Sequence, residues 1–317
     1  VHGGEFKFDY DISGKPRGLD IWKKIGEQKI HTLFLESTGA EEPGYSISER
    51  VVEQELEKLF KKAEGRIIVG TFASLLDRLA EIIKIAERLN RKVAISGLSM
   101  KTNIQIAQNL GFMKVAKGII IPLEEIHKYR DDKLMILCTG AQGEPKASLM
   151  RIANGEHRHI KIKKGDMVIL SSSIIPGNER SIQVLKDDIS RQGALVFHYK
   201  MIDIHSSGHA PQEELKTVMK LVKPKFFIPM HGYYFMRWRN AQHAQGVLNL
   251  KPEETIIADN GQVILMTKNS VKITEETAPA FYVMVDGLGV GDVGEVVLRD
   301  RRVLAQEGMV VIIATLD

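Results

Sequence analysis

The chain has 317 residues, of which 44% are hydrophobic and 26% are charged, and its formal net charge at pH 7 is +4. The chain is long enough for two domains or one large one, and its composition is that of an ordinary globular protein with ample apolar content for a core. No apolar run reaches the roughly 18 residues that a membrane span needs, and the start carries no signal-peptide pattern. The single cysteine, Cys138, cannot form an internal disulfide and is predicted to be buried. We therefore expect a cytoplasmic protein without a membrane anchor.

Up to about residue 260, short β-branched runs alternate with amphipathic stretches. Ser46 and Glu49 have the spacing of a capping box, which predicts a helix that continues through Leu59. Strands are predicted over residues 66–69, 92–95, 133–138, 167–170, 195–198 and 226–228. Further helices are predicted over residues 74–89, 103–110, 146–153, 179–191 and 211–221. This alternation favours an α/β fold with a mostly parallel sheet that helices cover on both faces, and such sheets bind ligands beyond the carboxyl ends of their strands.

After residue 255 the pattern changes to strand, turn and strand. Asp259-Asn260-Gly261 is a hairpin signal. The glycine-rich stretch at residues 286–294 has the look of a dinucleotide-binding loop, but residues 295–298 predict a strand. Because such a loop must lead into a helix that receives the pyrophosphate, we interpret the stretch as tight turns.

The loop His205-Ser206-Ser207-Gly208-His209 is the first candidate site. Two serines and a glycine disfavour a helix here, so the segment is predicted to be a loop before a helix that starts near Pro211. Such a loop can offer imidazole, hydroxyl and backbone N–H groups to one phosphate. A turn whose histidines only make local hydrogen bonds is an equally good interpretation of the spacing alone.

His231 and Glu36 each follow a predicted strand. A histidine at the carboxyl end of a strand is a good metal ligand because the sheet fixes its direction, although a lone histidine there is more often structural. Glu36 closes the apolar run 33–35, where its carboxylate could bridge two divalent cations or could serve as a cap. His231 and Glu36 are therefore candidate metal ligands.

Two longer motifs are the most specific features of the sequence. Residues 138–145 read Cys-Thr-Gly-Ala-Gln-Gly-Glu-Pro, and residues 172–179 read Ser-Ser-Ile-Ile-Pro-Gly-Asn-Glu. A strand, a glycine-rich turn and a proline near the start of a helix form an anion site on physical grounds. Together with the 205–209 loop and Pro229-Met230-His231-Gly232, these motifs resemble those of the ribonuclease J family, and the resemblance covers nearly the whole chain.

The resemblance implies a metallo-β-lactamase fold, present in part, with an inserted α/β domain of the β-CASP type. Residues 1–45 would be the end of the first metallo-β-lactamase segment, residues 46–200 the β-CASP domain, and residues 201–317 the second metallo-β-lactamase segment with its late strands. The stretch around Glu5 is similar to the family's Gly-Asp-Phe-Lys strand. Glu36 stands where the family normally has an aspartate, and Gly39 stands where it has an asparagine.

The resemblance also implies roles for single residues. Glu36 and His231 would bind metal, and His205, Ser207, Gly208 and His209 would bind the RNA phosphate near the cut, with His209 also catalytic. Loops that contact RNA are implied at Ser74, Gln142, Gly143, Glu144, Ser172 and Ser173.

The function implied by the resemblance is RNA processing and decay by a nuclease with 5′-to-3′ exonuclease and endonuclease action. It would use two zinc ions, with manganese or magnesium as alternatives, prefer RNA with a 5′-monophosphate and form homodimers or homotetramers. The family's His-x-His-x-Asp-His motif does not occur in this sequence, so we predict that the chain is a fragment that is inactive by itself. The alternative is a non-catalytic RNA-binding or scaffold paralogue in an RNA degradation complex, which Glu36 and the altered residues 73–76 favour.

Overall fold

The computed structural model describes residues 1–11, 13–144, 147–175, 177–281, 283, 285, 286, 289, 290 and 295–310. Within these ranges no helix is long and apolar enough to cross a membrane. Contacts divide the chain into two units, Val1–Ile257 and Ala258–Asp317. The helices are α1 (Leu19–Gly26), α2 (Glu49–Lys62), α3 (Leu76–Arg88), α4 (Leu98–Asn109), α5 (Ser148–Ala153), α6 (Glu179–Arg191), α7 (Gln212–Val222), α8 (Tyr234–Leu248) and α9 (Glu295–Glu307). The strands are β1 (Thr32–Glu36), β2 (Ile67–Thr71), β3 (Lys92–Ser96), β4 (Ile120–Ile121), β5 (Leu134–Cys138), β6 (Met167–Ser171), β7 (Leu195–His198), β8 (Phe226–Met230), β9 (Gln262–Met266), β10 (Val271–Thr277), β11 (Val285–Asp286) and β12 (Gly289–Val290).

A six-stranded parallel sheet forms the larger core of the first unit. Its strand order is β4-β3-β5-β2-β6-β7. Successive side chains of β2 and β5 enter two different apolar clusters: Val69 and Leu137 pack with α2, α3 and α4, whereas Ile68 and Ile136 pack with α5 and α6. Every residue of these two strands is buried, as expected when helices cover both faces of a sheet. The predicted parallel α/β sheet is confirmed.

A second, two-stranded parallel sheet has its own core. Strand β1 pairs with β8 in parallel, with Glu36 opposite Met230. Leu33 and Phe227 pack with Leu215 of α7 in a third apolar cluster. The predicted domain boundaries after residues 45 and 200 fall in segments between the two sheets, and they stay predictions.

The start of α2 differs from the predicted capping box. Ser48 is the N-cap residue, and its hydroxyl accepts a hydrogen bond from the Val51 N–H. Ser46 instead donates its backbone N–H to the carboxylate of Glu214. The prediction was wrong by two residues because the partner of Ser46 lies far away in the sequence.

Two predictions in the second unit were wrong. The hairpin of β9 and β10 turns at residues 267–270, where the Thr267 hydroxyl accepts the N–H groups of Asn269 and Ser270, and not at Asp259-Asn260-Gly261. Residues 295–298 begin helix α9, because the β-branched pair there continues into a stretch of arginines, leucines and glutamate that favours a helix.

The glycine-rich stretch before α9 lies partly outside the described residues, at 287, 288 and 291–294. Its described part is an antiparallel pair of two-residue strands, β11 and β12. A dinucleotide loop requires a strand of a parallel βαβ unit before its helix, and an antiparallel strand pair does not provide one.

Candidate metal centre and phosphate loop

Glu5, His209 and His231 form the one group of three potential metal ligands among the described residues. Their ligand atoms all lie within 4.8 Å of one another. His231 Nε2 is 3.3 Å from Glu5 Oε1, and the His209 and His231 rings are stacked with their centroids 5.4 Å apart. The side chains of Glu5 and His231 are 57% and 41% exposed, so the cluster is open to solvent.

The parallel pairing of β1 and β8 places His231 beside the segment that follows β1. Both strands end at the same edge, and the Ser37 N–H donates to the carbonyl of His231 at 3.0 Å. His231 has a φ of 52° and Gly232 a φ of 134°, so the chain turns sharply directly after β8. A positive φ is unfavourable for a histidine. Residues held in such strained conformations are often found at functional sites.

Glu36, a predicted metal ligand, lies behind this cluster. Its carboxylate is fully buried and accepts hydrogen bonds from the Phe6 N–H and from His209 Nδ1, each at 2.6 Å. Because a carboxylate only accepts, Nδ1 of His209 carries the proton and Nε2 is left for the cluster. This hydrogen bond also raises the pKa of His209. The structure therefore places Glu5, and not Glu36, beside His231.

The donor set of the cluster suits a zinc ion. Imidazole nitrogens and carboxylate oxygens are common zinc ligands, and in a tetrahedral site with bonds near 2 Å two ligand atoms lie about 3.4 Å apart. The 3.3 Å between His231 and Glu5 fits that geometry. The carboxylate of Glu36 on Nδ1 of His209 fixes the direction of that ring beside the cluster.

Gly39 explains one departure from the family pattern. A Cβ at this position would lie 2.3 Å from the carbonyl oxygen of Ala210, the residue after His209. The backbone after β1 thus packs directly on the backbone of the histidine loop. Only glycine permits this approach without a shift of that loop.

The predicted phosphate loop rests on a network of charged side chains. Lys7 Nζ donates to Ser206 Oγ and to Glu49 Oε1, both at 2.7 Å. Arg78, which is buried, binds both oxygens of Glu49 and donates to His205 Nδ1 at 2.8 Å. Side chains of the N-terminal segment, α2 and α3 therefore fix the position of this loop through hydrogen bonds to Ser206 and His205.

The residues of the loop differ in their access to a ligand. His205 is 7% exposed, and its Nε2 has no hydrogen-bond partner among the described residues. Ser207 accepts from the N–H of His209, and Gly208 is exposed. Of the four predicted phosphate ligands, Ser207, Gly208 and His209 lie at the surface and His205 lies beneath them.

Burial and the neighbouring Arg78 lower the pKa of His205 from 6.5 to about 3. An unfolded chain binds a proton at this histidine below pH 6.5, whereas the folded chain does not, so stability is lost as the pH falls from 6.5 towards 3. We expect His205 to contribute a loss of about 2 kcal/mol between pH 7.5 and pH 5, since each pKa unit corresponds to about 1.4 kcal/mol. Urea unfolding of the wild type and of His205→Asn at both pH values measures this loss. An identical pH dependence of the two proteins would contradict it.

The other predicted RNA-contacting residues lie at the carboxyl edge of the six-stranded sheet. A cavity of about 240 Å³ there is lined by Gln142 and Glu144 together with Thr71, Phe72, Ser99 and Thr139. Gly143 has a φ of 84°, which the turn requires. Ser172 is buried and donates to the carbonyl of Ala141, and Gln142 donates to the carbonyl of Ser173 at 3.4 Å. Ser74 is exposed, directly before α3. Gln142 and Glu144 therefore line one cavity at this edge of the sheet. Ser172 does not line it, but its hydrogen bond to Ala141 holds the loop that contains Gln142.

Glu214 is a buried residue that the sequence did not identify. Its carboxylate accepts the backbone N–H groups of Phe8 and Ser46, both at 2.8 Å, and the hydroxyl of Tyr10 at 2.6 Å. Burial and Glu214 raise the pKa of Tyr10, so that its hydroxyl remains a donor. In the sequence Glu214 looked like an ordinary acid in the first turn of α7, and nothing local marks the three donors that converge on it.

Comparison with known proteins matches two regions of the chain to family models. Residues 64–189 match "Ribonuclease J, beta-CASP domain", and residues 195–242 match "Zn-dependent metallo-hydrolase RNA specificity domain". The chain is 41% identical to ribonuclease J 1 of Streptococcus pyogenes serotype M3, over 99% of this chain and 56% of that protein. It is 41% identical to ribonuclease J of Thermus thermophilus over 99% of this chain and 54% of that protein. It is 35% identical to ribonuclease J2 of Bacillus subtilis over 99% of this chain and 56% of that protein. The chain thus spans about half the length of these relatives.

Proposed function

Because this chain belongs to the ribonuclease J family, with its metallo-β-lactamase and β-CASP fold, we propose that it provides part of the active site of a metal-dependent ribonuclease. The observation that carries the proposal is the convergence of Glu5, His209 and His231 within 4.8 Å. These residues come from three separate segments, and they meet beside a loop whose serine, glycine and backbone suit a phosphate.

Glu5 and His231 are the residues that would hold the metal. They face each other at 3.3 Å, at the open end of β1 and β8. A divalent ion there would polarise a phosphodiester and stabilise the charge that develops as it is cleaved. Zinc is the metal that this donor set favours, with manganese or magnesium as alternatives, and we propose two zinc ions for the whole site.

His209 is the proton carrier of the proposed mechanism. Its hydrogen bond to Glu36 raises its pKa. With Nδ1 donating to Glu36, the proton that His209 passes on would be carried on Nε2, on the side of the cluster. His209 would hold the phosphate through this N–H and pass the proton to the leaving oxygen.

The 205–209 loop positions the phosphate. Ser207 and Gly208 offer a hydroxyl and backbone N–H groups at the surface, and Lys7 adds positive charge at Ser206. Burial and the neighbouring Arg78 lower the pKa of His205 to about 3, so this histidine is neutral beneath the loop throughout the physiological range. RNA, with a preference for a 5′-monophosphate end, is the proposed substrate, and Gln142 and Glu144 at the sheet edge would contact it further along.

A ribonuclease assay tests the proposal. RNA carrying a 5′-monophosphate and RNA carrying a 5′-hydroxyl are incubated with zinc and with either the chain by itself or the longest product of its reading frame. We expect zinc-dependent cleavage by the longer product, which His231→Ala abolishes. The chain by itself should bind RNA without cutting it, because its described residues offer ligands for one ion and not for two.

The alternative function is a non-catalytic RNA-binding subunit. It predicts RNA binding that is the same with zinc and with a chelator, and no cleavage by either protein. Retention of cleavage in His231→Ala would exclude both this alternative and the proposed metal site.

A further inference from the structure

Helix α8 begins with a group of exposed aromatic side chains. Tyr233, Tyr234, Phe235 and Trp238 are 63%, 56%, 49% and 49% exposed. All four lie within six residues of the chain, and a group of exposed apolar side chains on a folded protein often marks a binding site. We refer to these four residues as the aromatic patch.

The position of the patch is fixed with respect to the metal cluster. Tyr233 is two residues after His231, and the positive φ angles of His231 and Gly232 turn the chain directly into α8. A Cβ on Gly232 would lie 3.2 Å from the sulfur of Met236, so the first turn of α8 packs closely on this bend. A polymer that has one phosphate at the cluster would therefore pass the aromatic patch with its neighbouring nucleotides.

Two rings of the patch are stacked on each other, and an arginine lies over a third. The rings of Tyr233 and Phe235 are nearly parallel, with an angle of 9° between planes and 5.9 Å between centroids. The Arg237 guanidinium lies 5.7 Å from the centre of the Tyr234 ring. Planar bases stack on such faces, and an arginine among the rings is typical of surfaces that bind single-stranded nucleic acid.

The charge of α8 also suits a polyanion. Its sequence, Tyr234–Leu248, contains Arg237 and Arg239 and no aspartate or glutamate. A patch made to dock an acidic or neutral protein segment would not need to lie next to a phosphate-cleaving site. Continuity with that site and the absence of acidic side chains from the helix favour RNA as the occupant.

We propose that the aromatic patch is a stacking platform for the bases of single-stranded RNA next to the phosphate at the metal cluster. This inference rests on the proposed function, since it takes RNA as the ligand. Because every base has a planar face, the platform would accept any sequence and would discriminate against RNA that is paired. The preference for single-stranded over paired RNA would then depend on the aromatic residues that follow His231.

The test compares two probes of the same length on the zinc-loaded chain. One is a short oligouridylate with a 5′-monophosphate, and the other is its abasic counterpart, which keeps every ribose and phosphate. Fluorescence anisotropy gives the affinity for each, at several salt concentrations. We expect the base-bearing probe to bind at least tenfold more tightly to the wild type.

Phe235→Leu and Trp238→Leu should each weaken binding of the base-bearing probe about tenfold and leave the abasic probe unaffected. The salt dependence should stay the same, because phosphate contacts determine it. Phe112→Leu, at an aromatic residue that is 82% exposed elsewhere, is the matched control and should change neither affinity.

Equal affinity of the wild type for the two probes would overturn the platform, while binding of the abasic probe would still support the phosphate site. A change in molecular mass on sedimentation of Trp238→Leu, with RNA binding intact, would also overturn it, since the patch would then be a contact between protein chains. If neither probe binds, both the platform and the proposed substrate are wrong, whereas zinc binding reports on the metal cluster independently.

Discussion

Replacing His231 with alanine is expected to lower the zinc affinity of the chain more than 100-fold. Loss of an outer hydrogen-bond partner at a metal site costs about 10- to 100-fold in affinity, and loss of a ligand costs more. Glu5→Ala should have an effect of similar size, because the carboxylate of Glu5 faces His231 Nε2 at 3.3 Å. Isothermal titration with zinc measures both, with His127→Ala, an exposed histidine distant in the sequence, as the control.

The same titration separates the two roles that His209 could have in the cluster. As a proton carrier, His209 can be replaced by glutamine with no more than a tenfold change in zinc affinity, although cleavage should be lost. If His209→Gln lowers zinc affinity as much as His231→Ala does, then His209 is a third ligand and the proposed proton transfer from its Nε2 is wrong.

Glu214→Ala is expected to lower the free energy of unfolding by about 3–5 kcal/mol. The substitution leaves two backbone N–H groups and one phenol without an acceptor. A buried donor without a partner costs about 1–3 kcal/mol, and the cost is at the low end for Ser46 and Tyr10, which are only partly buried and can bind solvent. Urea unfolding measures the change. Glu213→Ala, at the neighbouring and more exposed position on α7, should change it by less than about 0.5 kcal/mol.

This second prediction has a functional consequence. Glu214 fixes the segment that contains Phe8 and Tyr10, and this segment continues back to Glu5. Zinc affinity should therefore fall in Glu214→Ala even under conditions in which the protein is still folded. A variant that loses less than about 1 kcal/mol would show that solvent replaces the lost carboxylate.

The alternation of strands and helices could be predicted because it depends on local patterns. The β-branched runs of β2, β3, β5 and β6 and the amphipathic stretches of α3 and α6 determine their own conformation and burial. Helix α8 could not be predicted in this way, because its apolar residues, Met236 and Trp238 among them, do not lie on one face. Its position after β8, and not its pattern, decides its conformation.

The composition of the candidate site could be predicted only in part. His209 and His231 were recognised because each lies in a distinctive loop. Glu36 follows an apolar run and Glu5 follows two glycines, and neither pattern tells which carboxylate reaches which histidine. The structure places Glu5 beside His231 and Glu36 beside His209. The support from Arg78 likewise depends on contacts between segments more than a hundred residues apart.

The measurement that tests the central claim most directly is the affinity of the chain for 5′-monophosphorylated single-stranded RNA with and without zinc. If Glu5 and His231 hold a metal that meets the RNA phosphate, zinc should raise the affinity at least tenfold, and His231→Ala should remove this increase while the zinc-independent binding remains. The same affinity with zinc and with a chelator would contradict the account, because the histidine cluster and the phosphate loop would then not act as one site.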